Sequence, residues 1–148
     1  QLVKFIEFKD NLSLSDLGTG AGFPGIVIAI FNRNQKFHVK LYEKSRVKIK
    51  FLTKLCQKLN INAQIYENDY RTHDIVSDYV VSRAFKKLEE HIRISREIVL
   101  GNHKLIILKG KNAESEIKKL NNNTNYSYSL EKSITSPDSK IAIFNIVK

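Results

Sequence analysis

Read from its amino end, the chain alternates between two hydrophobic periods. Residues 1–8 carry apolar side chains at helical spacing and predict a short amphipathic helix. Residues 12–16 alternate apolar and polar, as a strand does, and run into a glycine-rich turn. An apolar stretch over 24–31 predicts a buried helix with Pro24 in its first turn, where a missing N–H costs little. A strand at 37–43 follows, then a helix at 45–59 with Ser45 as its cap and Leu52, Leu55, Cys56 and Leu59 on one face. Strands are expected at 63–67 and 78–82, a helix at 86–100 stopped by Gly101, and a strand at 103–108. A helix at 113–120, an asparagine-rich loop and two closing strands at 126–132 and 140–147 complete the pattern. Strand–helix alternation of this kind implies right-handed crossovers and a mostly parallel sheet with helices on both faces. The last two strands have no helix between them, so one of them must run antiparallel.

Composition changes this picture little. The 148 residues suffice for one α/β domain, residues 1–148, and 42% hydrophobic with 27% charged residues is ordinary for a soluble globular chain. The longest apolar run is far short of the ~20 residues of a membrane span, so no membrane association is expected. Cys56 stands alone, which excludes an internal disulfide and suits a buried thiol in a cytoplasmic protein. The chain starts at Gln1 and holds no methionine, so an N-terminal piece is expected to be missing.

Charge matters more. The net charge is +10, which reflects either the base composition of the gene or attraction to a polyanion. Arg46, Lys50, Lys54 and Lys58 recur every four residues along one predicted helix face, either as a nucleic-acid surface or as the solvated back of an amphipathic helix. Lys86 and Lys87, and Lys109 and Lys111, fall where strands end at their carboxyl edge, where open α/β sheets bind ligands.

The chemistry concentrates in residues 16–25, Asp-Leu-Gly-Thr-Gly-Ala-Gly-Phe-Pro-Gly. Glycines between a strand and a helix let backbone approach a ligand closely. The spacing from Gly20 to Gly25 satisfies a dinucleotide fingerprint. Asp16 followed by alternating Gly18, Gly20 and Gly22 favours S-adenosylmethionine instead, because a carboxylate suits its cationic amino-acid end and would repel a diphosphate. The alternative for Asp16 is a helix N-cap or a turn residue. Glu43, ending the next strand, can accept two hydrogen bonds from ribose hydroxyls, or it is a surface carboxylate beside Lys44 and Arg46. His38, His73, His91 and His103 show neither metal-ligand nor triad spacing, and no metal is expected.

Four blocks then carry a family resemblance: residues 16–25; Glu43-Lys-Ser followed by Lys48, Phe51 and Leu52; Ser82-Arg-Ala-Phe85; and Leu108-Lys-Gly110 with Glu114 and Glu116 after it. In this order the chain resembles the bacterial 16S ribosomal RNA guanine-N7 methyltransferases, the glucose-inhibited division protein B family. The resemblance implies a class I methyltransferase (Rossmann-like) fold with a seven-stranded sheet and an antiparallel C-terminal strand. It implies S-adenosyl-L-methionine as cofactor, and a guanine in 16S ribosomal RNA of the small ribosomal subunit as target of a monomeric enzyme. By position, Gly18 and Phe23 would line the cofactor, Glu43 would take the ribose, and Asp69 and Tyr70 the adenine side. Arg83 would serve cofactor and substrate as the catalytic residue, and Lys86, Lys109 and Lys111 would face RNA. The sequence departs from the family at residues 67–71, and the family's N-terminal helical segment would precede Gln1. Other readings stay open: a small-molecule or protein methyltransferase with the same cofactor core, a nicotinamide-nucleotide-binding oxidoreductase or non-catalytic nucleotide-binding module, and an inactive truncated homologue.

Overall fold

The computed structural model describes residues 1–67, 69, 74–83, 87–120 and 125–148. One seven-stranded sheet spans these residues. In chain order its strands are β1 (Ser13–Leu17), β2 (His38–Glu43), β3 (Ala63–Glu67), β5 (Tyr79–Arg83), β7 (His103–Lys109), β8 (Tyr126–Lys132) and β9 (Lys140–Ile146). Their spatial order is β3-β2-β1-β5-β7-β9-β8, with β9 antiparallel to both neighbours and the pairings among β3, β2, β1, β5 and β7 all parallel. The expected mixed sheet is therefore present. Two further strands escaped the hydrophobic pattern because they are only two residues long: β4 (Ile75–Val76) and β6 (Val99–Leu100) pair with each other, apart from the main sheet.

The helices are α1 (Gly25–Phe31), α2 (Arg46–Leu59), α3 (Leu88–Ile98) and α4 (Ala113–Ile117). Alternation along the strands sorts the core into two layers. Leu14, Val39, Leu41, Val81 and Ile106 face α1 and α2 in one layer, joined by Leu52, Cys56 and Ile26. Leu17, Val80, Leu105 and Ile107 face α3 in the other, with Leu88, Ile92 and Ile98. Helices cover both faces of the sheet, as parallel strands require.

Four local expectations change, one of them the helix expected over 113–120, which ends at Ile117. Residues 1–8 do not form an α-helix; a short 3-10 turn at Leu2–Phe5 gives way to extended chain at Ile6. The sheet takes its backbone groups instead: Lys104 Nζ donates to the Phe5 carbonyl, and the Glu7 N–H donates to the Tyr79 hydroxyl. The helix expected over 86–100 ends at Ile98, because Val99 and Leu100 are drawn into pairing with Ile75 and Val76. Ser45 does precede α2, but its side chain makes no capping bond; its N–H donates to Glu43 Oε1 at 2.9 Å.

Parallel strands share one carboxyl edge, and Leu17, Glu43, Arg83 and Lys109 end their strands there. Because Lys140 pairs with Lys109 in register, the turn between β8 and β9 reaches the same edge. Among the described residues no helix is long and apolar enough to cross a membrane.

Candidate active site at the carboxyl edge of the sheet

The glycine turn joins β1 to α1 and is tied to β2 by backbone. The Tyr42 carbonyl accepts the N–H groups of both Gly18 and Thr19 at 3.0 Å. Gly18, Gly20 and Gly22 all have positive φ, at 71°, 64° and 98°, which glycine adopts without the steric cost of a Cβ. At Gly22 a Cβ would also press on Ile26 and Leu52. Gly25 is required for a different reason: a Cβ there would run into Leu41 of β2 and Asp16 of β1. Its close approach seats α1 against the sheet, and helix-to-strand packing is the signal by which the last glycine of the run could have been singled out from sequence.

Asp16 is 1% exposed. Its Oδ2 accepts the Thr19 hydroxyl at 2.6 Å and the Gly25 N–H at 2.8 Å, so the carboxylate binds the turn to the start of α1. Thr19, itself buried, was not singled out from sequence. Burial pushes the Asp16 carboxyl up to about 6, against the pull of these two hydrogen bonds and of the nearby Arg83 charge. Its other oxygen, Oδ1, is buried without a hydrogen-bond partner among the described residues. An orphaned acceptor at such a place asks for a donor.

Glu43, 6% exposed, is held by three backbone N–H groups. Lys44 and Ser45 donate to Oε1, and Gly20 donates to Oε2 at 2.9 Å; Lys48 Nζ stands 3.9 Å from Oε2. A carboxylate has about four lone-pair positions. Among the described residues the hydrogen bonds leave one acceptor position, on Oε2, fewer than the two ribose hydroxyls of the sequence reading would use. Beside it the rings of Tyr42 and Tyr66 stack at 4.8 Å, with the buried Tyr42 hydroxyl pushed up to about 12, first of all by desolvation.

Phe23 is half exposed on the rim of the turn, and Arg83 is exposed at the end of β5. Ser82 next to it is buried, and its hydroxyl has no partner among the described residues. Asp69 lies past the end of β3, half-buried and engaged in an interaction. Tyr70 and Lys86 lie outside the described residues.

The two remaining lysines part company. Lys111 is exposed in the turn before α4. Lys109 is turned inward instead, with 8% of its side chain exposed and Nζ 2.8 Å from Glu116 Oε1. Glu116 also accepts the Leu88 N–H at 2.7 Å, which ties the start of α3 to the end of β7. Lys109 thus has a structural partner and offers no open charge at the surface. On α2, Arg46, Lys50, Lys54 and Lys58 are exposed as expected, with Arg46 paired to Glu67 at 3.2 Å. Cys56 is buried, and desolvation pushes its thiol up.

A mixed sheet with this strand order, a glycine turn after β1 and an acidic residue ending β2 can be compared with known proteins. The family described as GidB, rRNA small subunit methyltransferase G, matches residues 1–143. The chain belongs to that family. Ribosomal RNA small subunit methyltransferase G of Pelagibacter ubique is 34% identical over 142 residues, covering 94% of this chain and 66% of the relative. The protein of the same name from Syntrophus aciditrophicus is 38% identical over 128 residues, covering 81% of this chain and 52% of the relative. That from Rickettsia felis is 34% identical over 149 residues, covering all of this chain and 75% of the relative. The chain thus spans between about half and two thirds of the length of the first two. Among solved structures, a SAM-dependent methyltransferase from Aquifex aeolicus superposes with a TM-score of 0.75 at 15% identity, over 99% of this chain and 88% of that one. A mutant of MtNAS in complex with S-adenosylmethionine gives 0.70 at 11% identity, over 95% and 57%. The fold is the class I methyltransferase fold expected from sequence.

The residues present fit S-adenosylmethionine on two counts. The orphaned Asp16 Oδ1 is an acceptor matched to an ammonium, directly or through a water, and the open position on Glu43 Oε2 is matched to a ribose hydroxyl.

Proposed function

We propose that this chain transfers the methyl group of S-adenosyl-L-methionine to N7 of a guanine in 16S ribosomal RNA, in the decoding region of the small subunit. The observation that carries the reading is the pairing of the glycine turn with Glu43 at the carboxyl edge of the sheet, in a chain of this family. Family membership also weighs against a nicotinamide oxidoreductase.

In this reading Asp16, Gly18, Gly20, Gly22 and Phe23 frame the amino-acid end of the cofactor, Glu43 holds its ribose, and Asp69 and Tyr70 its adenine. When bound, the cofactor supplies an electrophilic methyl group. Guanine N7 presents a lone pair and carries no proton, so no general base is needed. The task left to the protein is alignment of N7 with the methyl group, an effect worth up to about 7–11 kcal/mol. Arg83 would hold guanine O6, a phosphate or the cofactor carboxylate with its planar donor fork. It would not face N7, which becomes cationic. Lys86 and Lys111 would meet the RNA chain. Residues 1–148 act as one catalytic domain, a monomer working in the cytoplasm on the small subunit.

The test compares methyl incorporation from labelled cofactor into free 16S RNA, undermethylated small subunits and protein extracts. Label confined to 16S RNA, free or in subunits, supports the proposal; label in protein alone refutes it.

A further inference from the structure

The carboxyl edge holds a concavity outside the glycine turn. It is a cleft of about 310 Å³ between the ends of β5 and β7 and the turn that joins β8 to β9. Arg83, Lys109 and Lys140 line it together with the hydroxyl residues Ser133, Thr135 and Ser139, and no aromatic side chain among the described residues does. Such a lining suits an anion better than a base, which would call for stacking.

The carboxylates beside it decide which cations are available. Glu116 is spent on Lys109 and on the Leu88 N–H. Glu114 reaches Lys140 only at 3.7 Å, a loose pairing. Arg83 is exposed at the end of β5, the strand that lies between β1, which leads into the glycine turn, and β7.

The rim is held in shape. The Ser133 N–H donates to the Ser139 carbonyl at 3.0 Å, and Ser133 Oγ accepts the Thr135 N–H at 3.2 Å. From outside the turn the Gln1 amide clasps both sides of Ser133: Nε2 donates to the Lys132 carbonyl at 2.7 Å, and Oε1 accepts the Ile134 N–H at 3.0 Å. Hydroxyls on a turn fixed at both ends can bind a ligand with little ordering cost.

We propose that this cleft is a phosphate subsite for the RNA chain, next to the methyl-transfer site. Arg83 and Lys140 supply the charge, and the turn hydroxyls beyond the one engaged in the 3.0 Å Ser133–Thr135 hydrogen bond supply neutral donors. The assignment rests on the RNA-substrate reading given above. It adds the β8–β9 turn to the RNA surface and replaces Lys109 with Lys140.

The test is a salt titration of the affinity of the 148-residue chain for a fluorescently labelled 16S RNA fragment. Binding of S-adenosylhomocysteine to each variant reports that it is folded. Lys140→Gln should weaken RNA binding several-fold and reduce the slope of log affinity against log salt by about one, whereas Lys140→Arg should keep both near wild type. Glu114→Gln should tighten RNA binding, and that gain should vanish when Lys140→Gln is added. A folded Lys140→Gln protein with unchanged affinity and slope would overturn the assignment while leaving the RNA-substrate reading intact. Loss of inorganic phosphate binding in Lys140→Gln, with RNA affinity unmoved, would give the cleft to a free anion and also overturn it. A wild-type chain that binds S-adenosylhomocysteine but no 16S RNA would overturn the substrate reading itself, and this subsite with it.

Discussion

Glu43 Oε2 accepts the N–H of Gly20 at 2.9 Å, so the end of β2 holds the glycine turn of β1 before any ligand arrives. With the Tyr42 carbonyl accepting Gly18 and Thr19, this makes the cradle a preformed unit with little to reorganise on binding. Glu43→Gln keeps one oxygen and replaces the other with an amide that cannot accept. Hydrogen bonds to a charged group are worth about 1.5–3 kcal/mol. S-adenosylhomocysteine affinity, measured by calorimetry, should therefore fall at least roughly tenfold in this variant.

Asp16 makes stability depend on pH in an unusual direction. Its folded carboxyl titrates at about 6, above the ordinary 3.8. A raised value means that the group contributes most below 3.8, and that this contribution is lost as pH rises through 6. The full loss amounts to about 3 kcal/mol by linkage. Urea unfolding of the wild type from pH 4 to pH 7 should show this decline, and Asp16→Asn, which does not titrate, should lack it. Parallel pH curves for the two proteins would contradict the account.

Gly25→Ala sets two effects against each other. Alanine is favoured over glycine in a helix by about 1 kcal/mol. The new Cβ would collide with Leu41 and with Asp16, including the latter's own Cβ, which lies on a buried strand and cannot swing away. Overpacking of this kind costs about 1–3 kcal/mol. A lower denaturation midpoint together with weakened cofactor binding is expected, and a more stable protein would count against the packing described for α1.

Lys109 and Lys111 should behave differently despite their nearness in sequence. Removing the Lys109 ammonium leaves Glu116 without its 2.8 Å partner, so Lys109→Gln should lower stability by about 2 kcal/mol. Its effect on the salt dependence of RNA binding should be small. Lys111→Gln should leave stability unchanged and reduce the salt slope by about one.

These two lysines also mark how far the sequence could be read. The glycine turn, Glu43 and the strand pattern were legible because each is local: a few residues at fixed spacing dictate a backbone shape. The inward turn of Lys109 was half legible, since strand alternation puts it on the same face as Leu105 and Ile107, beneath α3. What alternation could not show was Glu116 waiting there, because that depends on how α4 packs. The same holds for the N-terminal residues, whose helical spacing is overridden by Lys104 and Tyr79 from the far end of the sheet. The cleft under the β8–β9 turn combines Arg83 with residues some fifty positions later, a meeting set by the insertion of β9 beside β7. The pattern puts Asp16 at the end of the first strand, but its bonds to Thr19 and Gly25 follow from the seat of α1.

Methyl transfer to guanine N7 in 16S RNA leaves a product that can be counted. The direct measurement is to incubate the chain with S-adenosylmethionine and small subunits that lack the modification, then digest the 16S RNA and quantify N7-methylguanine by mass spectrometry. N7-methylguanine is expected at one position of the 16S RNA, with formation strongly reduced by Arg83→Ala. A chain that binds S-adenosylhomocysteine yet places the methyl group on another atom, or on no RNA at all, would contradict it.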